Sequence, residues 1–213
     1  MSATDGDGFL HAVRARENCA DAPGRVEVWK YAFPFAANQP VENIHVRFTT
    51  AGGAPGSHGT QWTGIFECAR RRHLDVLSWP AANAIVVAAA NAVYMVDPGA
   101  PEQFSGFAAP VEINGVTFDE SAQHMFVADS LRIYAFSAGR LLRWISEPLD
   151  GYGARFRGCG GRVLAVELKR CEPVPEGEEA APSMIRLRTE DGTILRSRFR
   201  LAHRNWVKSL GAY

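Results

Sequence analysis

Residues 74–107 read LDVLSWPAANAIVVAAANAVYMVDPGAPEQFSGF, and residues 114–146 read NGVTFDESAQHMFVADSLRIYAFSAGRLLRWIS. Displaced by forty positions, the two stretches register on one another: Val87-Ala88 falls on Val127-Ala128, Val93-Tyr94 on Ile133-Tyr134, and Val96 on Phe136. Each copy reads as an apolar strand, a polar turn, a second apolar strand, a short turn around Asn91 or Asp129, and a third strand. A Gly-containing turn and a fourth strand close each copy. A competing reading makes the run from Pro80 to Val93 an Ala-rich buried helix, with Pro at its first position and Asp97-Pro98-Gly99 as its stop. The aligned copy carries Asp119, Asp129 and Ser130, which compete with the helix backbone for hydrogen bonds, so strands are expected in both.

Outward from this pair, a weaker third copy covers residues 152–200. Val163–Leu168 reads as an inner strand, Met184–Arg188 as the next, and Thr193–Arg200 as the outermost, with the insert CEPVPEGEEAAPS between the first two. Upstream, Ile44, Val46 and Phe48 alternate with His45, Arg47 and Thr49, the period-two pattern of a half-buried strand. TTAGGAPGSHGTQWTG, residues 49–64, holds five glycines and a proline and reads as a long loop. Residues 1–24 are polar and irregular and read as a loosely held terminus. Residues 25–213 are then a single β-repeat domain.

Four short strands in about 40 residues is the period of a propeller blade. The run VADSLRIYAFSAGRLLRWI, residues 127–145, resembles the blade cores of NHL-repeat and gluconolactonase-like propellers. Those carry a similar succession of valine-alanine-aspartate, arginine-isoleucine, phenylalanine and glycine. Such a resemblance implies architecture and not activity. The expected fold is all-β: propeller-like antiparallel repeats, with four or at most five blades and a small or incomplete ring. The alternative is a β-sandwich or barrel. Val87, Phe126, Val127, Ile133, Leu164 and Val166 are expected in the core. Few blades leave strand edges exposed, so a homodimer, or a partner that covers one open side, is expected.

The chain of 213 residues is 46% hydrophobic and 22% charged, the composition of a globular domain. Its 23 basic and 23 acidic residues cancel, so no global field steers it toward nucleic acid or an anionic membrane. The longest apolar stretch, Ala84 to Val96, is interrupted by Asn91 and falls short of the ~20 residues of a membrane span. No basic segment followed by an apolar core opens the sequence, so a cytoplasmic location is expected. The four cysteines form no Cys-x-x-Cys pair, which removes zinc-ribbon and thioredoxin readings. Cys159 and Cys171 flank one apolar strand, where they can face each other across a sheet; a reducing compartment argues against a bond between them.

The candidates for chemistry are few. The Gly-rich loop lacks the Gly-Lys-Ser and following helix of a phosphate cradle, and Pro55 before Ser57 breaks the nucleophile-elbow pattern. The six histidines show no metal-ligand spacing. Lactonase-type propellers hold a divalent cation through Glu, Asn and Asp from separate blades. By that resemblance Asn83, Asn91, Asp119 and Asp129 occupy comparable turn positions, although these residue types also favour tight turns. The acidic insert with Glu172, Glu176, Glu178 and Glu179 reads as a solvated excursion.

From Met184 onward the chain is basic, with six arginines and one lysine against one Glu and one Asp. Arg196, Arg198 and Arg200 alternate, so a strand puts all three on one face, with Leu195, Phe199 and Leu201 toward the core. Guanidinium groups in a row grip phosphates or carboxylates, and Trp206 can add stacking. The bland alternative is a charged edge strand that blocks edge-to-edge pairing. The function expected is a non-catalytic protein-interaction module on a propeller-like scaffold, needing no cofactor and no catalytic residue. The alternatives are a metal-dependent hydrolase of lactonase type, and an anion or nucleic-acid binder acting through Arg196, Arg198, Arg200 and Trp206.

Overall fold

The computed structural model describes residues 12–13, 27–32, 41–49, 61–69, 74–169 and 182–195. Among the described residues sixteen strands form four four-stranded sheets, and no α-helix occurs. The chain is all-β.

Sheet I holds β1 (Ala12–Val13), β2 (Glu27–Tyr31), β3 (Val41–Thr49) and β4 (Gln61–Ala69), in the order β1-β2-β4-β3. Sheet II holds β5 (Leu74–Trp79), β6 (Ala84–Ala89), β7 (Ala92–Val96) and β8 (Phe104–Ala108). Sheet III holds β9 (Ile113–Phe118), β10 (His124–Asp129), β11 (Ile133–Ser137) and β12 (Leu142–Ile145). Sheet IV holds β13 (Tyr152–Gly160), β14 (Val163–Lys169), β15 (Ser183–Arg188) and β16 (Ile194–Leu195). Sheets II, III and IV are antiparallel meanders whose spatial order follows the sequence.

The helix reading of Pro80–Val93 therefore fails. A single 3₁₀ turn at Pro80–Ala82 ends at Asn83, whose φ of 45° is left-handed, and the chain reverses into β6. Pro fits the first position of that turn because its φ is already set, and Asn tolerates the left-handed cap better than most residues. Apolar character runs unbroken through β6 and β7 because these central strands are buried on both faces.

Sheet I departs from the expected antiparallel pattern. β3 and β4 pair antiparallel from Val41↔Ala69 to Thr49↔Gln61, and β2 lies parallel to β4 on its other edge, from Glu27↔Trp62 to Tyr31↔Phe66. The loop reading of residues 49–64 is corrected at both ends, since Thr49 closes β3 and Gln61–Gly64 open β4. What makes β4 a strand is its alternation: Trp62, Phe66 and Cys68 are buried on one face. Gly64 completes that face, because a Cβ there would lie 2.5 Å from the Phe66 ring that covers it. The short β1 pairs Ala12 with Tyr31 and Val13 with Lys30. The other residues of the 1–24 segment lie outside the described set.

Successive sheets pack through three apolar clusters. Trp29, Tyr31, Phe48, Trp62 and Phe66 of sheet I meet Val87, Ala89, Tyr94 and Val96 of sheet II. The other face of sheet II, with Trp79, Val86, Val93 and Met95, meets Met125, Val127, Tyr134 and Phe136 of sheet III. The far face of sheet III, with Phe126, Ala128 and Ile133, meets Leu164, Val166, Leu168 and Leu187 of sheet IV. The six expected core residues, Val87, Phe126, Val127, Ile133, Leu164 and Val166, are all fully buried. Burying each such side chain contributes about 1.5–3 kcal/mol.

Each interface also carries one indole N–H bonded to a carbonyl of the next sheet or its loops. Trp62 donates to the Pro98 carbonyl at 3.2 Å, Trp79 to Ala122 at 2.5 Å, and Trp144 to Thr189 at 2.9 Å. A buried indole N–H needs such a partner, and here the partner fixes the lateral offset between sheets. Arg140, in the β11–β12 turn of sheet III, adds a second tie. Its guanidinium donates to the carbonyls of Ala82, Asn83 and Gln103 in sheet II's turns. Among the described residues, no substantial contact joins a strand of sheet I to a strand of sheet IV.

Candidate binding surface on the last sheet

Sheet IV presents one face to sheet III and the other outward. On β14 the inward set is Leu164, Val166 and Leu168; Val163, Ala165, Glu167 and Lys169 point away. Register carries this division across the sheet. Arg155 and Met184 flank Glu167, Arg186 lies beside Ala165, Arg188 beside Val163, and Tyr152 beside Lys169. Register shifts along β13, between Tyr152 and Arg155 and between Phe156 and Gly158, bring Arg157 to the same side. The Gly161-Arg162 turn that joins β13 to β14 has φ of 55° and 66°, the two-residue hairpin geometry that matches strand twist.

The charges on this face are unequally matched. Arg157 grips Glu167, with Nε at 2.7 Å and Nη2 at 2.5 Å from the same carboxylate oxygen. Arg188 reaches Asp191 at 3.2 Å, and Arg162 reaches Glu190 at 2.8 Å. Among the described residues, Arg155, Lys169 and Arg186 have no acidic partner. Two large side chains stand beside them in solvent, Tyr152 at 49% and Met184 at 51% exposure.

At one end of this face the starts of β9 and β13 and the end of β14 enclose a cleft of about 320 Å³. Glu112, Asn114, Tyr152, Arg155 and Lys169 are among its walls. Asn114 is held by a 3.3 Å bond to the Ser130 hydroxyl.

The expected site residues Arg196, Arg198, Arg200 and Trp206 lie outside the described residues, as does Cys171, the expected partner of Cys159. Leu195 is described, and its placement differs from expectation. Leu187 pairs with Ile194 and Arg186 with Leu195, so Ile194 faces the core and Leu195 shares the outward side with Arg186. The cations that the structure places together come from β13, β14 and β15. Their sequence signal was the alternation of Met184, Arg186 and Arg188, inside the same basic stretch; Arg155 and Lys169 carried no such signal.

The four turn residues considered as metal ligands are each engaged locally. Asn83 donates to Asp97 at 2.8 Å, and Asn91 to the Ala109 carbonyl at 3.3 Å. Asp129 accepts from the Leu131 and Arg132 amides, both at 2.6 Å, and from the Tyr134 hydroxyl at 2.8 Å. Asp119 accepts from the His124 amide at 3.2 Å and meets its ring Nδ1 at 2.8 Å. Burial works to raise the Asp119 carboxyl, but the hydrogen bonds from His124 and Ser121 outweigh it and hold the group below its ordinary value. Among the described residues no three His, Cys, Asp or Glu side chains converge as a metal-binding group.

Cys159 on β13 is a half-buried free thiol. Burial first, and then the charges of Asp119 and Glu120, push its thiol up to about 11. The thiol is protonated at neutral pH, which makes it a weak nucleophile. Among the described residues no helix is long and apolar enough to cross a membrane.

Compared with known proteins, the chain matches no family model and no curated sequence.

Proposed function

We propose that this chain is a non-catalytic protein-interaction module, built as a four-bladed, propeller-like array in which the outer face of sheet IV is the partner-binding surface. The array reading is supported by the three sequential meanders and by the forty-residue displacement, which carries Val86–Ala88 and Val93–Val96 of sheet II to the buried Phe126–Ala128 and Ile133–Phe136 of sheet III. The observation that carries the binding reading is the outer face itself. It combines Arg155, Lys169 and Arg186 with exposed Tyr152 and Met184, and arginine, tyrosine and methionine are the residue types that protein interfaces favour.

The test is affinity capture with the full chain, with a Met184→Ser/Arg186→Glu double variant, and with Arg47→Glu on the exposed face of sheet I. A protein retained in near-equal amount to the bait is expected to be lost from the double variant and kept by Arg47→Glu. Equal retention by all three baits, or no retained protein at all, overturns the reading.

A further inference from the structure

The outer face of sheet IV has a charge pattern that selects among partners. Its cations without an acidic partner among the described residues are spaced across three strands: Arg155 on β13, Lys169 at the end of β14 and Arg186 on β15. Between them sits Glu167, neutralised by Arg157, and at the β15–β16 turn stand Glu190 and Asp191. A nucleic-acid backbone brings a charge at every phosphate and meets these carboxylates as well as the cations. A peptide with separated carboxylates can place them on the cations and carry apolar atoms past Glu167.

Apolar contacts are available for such a peptide, because Met184 and Tyr152 flank the cations and are half in solvent. The cleft of about 320 Å³ at one end supplies a seat, since Arg155 and Lys169 share its wall with the Tyr152 ring and the Asn114 amide, and these two cations outnumber the single carboxylate there, that of Glu112. Ligand pockets run from roughly 300 to 1,000 Å³, so the cleft has room for a single acidic side chain. Self-association by this face is opposed, because a two-fold interface would set Arg186 and Arg155 of one copy against the same face of the other.

Building on the interaction reading above, we infer that the outer face of sheet IV binds an acidic peptide segment of a partner protein. One carboxylate of the segment sits on Arg155 and Lys169 in the cleft, and the chain crosses the sheet past Met184 to Arg186. Charge-assisted hydrogen bonds to a guanidinium, bidentate where the geometry allows, give the seat its strength.

Fluorescence anisotropy of a labelled hexaglutamate peptide on the full chain tests this. Saturable binding is expected, weakened roughly tenfold or more by Arg155→Glu with Lys169→Glu, and unchanged by Arg47→Glu. Both altered cations are exposed, so the variant should keep its fold, which circular dichroism checks. No saturable binding to the parent chain, or equal affinity for the Arg155/Lys169 variant, overturns the inference. Tighter binding of a single-stranded oligothymidylate, lost in the same variant and falling steeply with salt, also overturns it and assigns the face to nucleic acid. If hexaglutamate fails while captured protein still depends on Met184 and Arg186, the acidic class falls and the interaction reading stands. If capture is also indifferent to those residues, both fall.

Discussion

Tyr94 and Tyr134, forty positions apart, stand at the same station of consecutive sheets, and each turns its ring back onto the sheet before it. Tyr94 in β7 packs on Phe66 with centroids 5.2 Å apart and donates its hydroxyl to the Glu67 carbonyl of sheet I. Tyr134 in β11 packs on Phe107 of sheet II at 4.5 Å, but its hydroxyl turns to Asp129 of its own sheet at 2.8 Å. The backbone station repeats while the polar partner changes. Burial raises both phenols well above their ordinary value.

The indole ties predict a specific loss. Trp79 is fully buried and its N–H is bonded to the Ala122 carbonyl in the next sheet's first turn. Trp79→Phe keeps most of the ring packing and leaves that carbonyl without its donor. Urea unfolding should show a loss of about 1–3 kcal/mol. A change below about 0.5 kcal/mol would mean that the turn finds water in place of the indole.

Phe126 lies in the cluster between sheets III and IV and is fully buried. Phe126→Ala should cost about 3–5 kcal/mol by the lost transfer energy and the cavity it leaves. Equilibrium denaturation measures it, and a loss under about 1 kcal/mol would place Phe126 outside a close-packed core.

Gly192 and Gly158 form a matched pair of glycine tests. Gly192 has φ of 72°, and a Cβ there would lie 2.5 Å from the Trp144 ring. Gly192→Ala should therefore destabilise by at least about 1–2 kcal/mol through the left-handed backbone alone, with a further loss from displaced Trp144. A Cβ on Gly158 meets nothing within 4 Å, so Gly158→Ala should be neutral or slightly stabilising, by about 0.5 kcal/mol. Equal melting temperatures for the two variants would contradict the assigned geometry.

Asp119 ties stability to pH. Its folded-state carboxyl is held below the ordinary value, net of burial, by bonds from His124 and Ser121. A depressed carboxyl contributes stability that is present above its unfolded value and is lost as pH falls through the lower folded value. Asp119→Asn should thus be less stable than the parent near neutral pH, and the difference should shrink as the acid range is entered. Parallel stability–pH curves for the two proteins would rule out this linkage.

Much of sheets II and III was legible because their central strands are buried on both sides. Val86–Ala89 and Phe126–Ala128 must be apolar at every position, and the same demand recurs after forty residues. Sheet I was not legible as a unit, since β2 meets β4 in parallel across a long stretch of chain and leaves no local hairpin pattern. β13 was missed for another reason. Its sequence, YGARFRGCG, alternates weakly, and its register shifts break the period that marks a strand.

The basic stretch after Met184 was visible in the sequence, and so was the alternation of Arg186 with Arg188. Strand periodicity is a property of neighbouring residues, and it determines which side chains share a face. It carries no information on which face another sheet will cover. Leu187 is buried and Arg186 exposed because sheet III packs on one side of β15, and Leu195 joins the outward side by its pairing with Arg186. The cleft draws on residues 112–114, 152–155 and 169, which have no pattern in common along the chain. They meet because β9 and β13 begin side by side when sheets III and IV stack. The sequence by itself determined the strands and the apolar core that each contributes. The gathering of Arg155, Lys169 and Arg186 on one open face was decided by tertiary packing, because contacts between residues far apart in the chain follow from which apolar faces can be buried together.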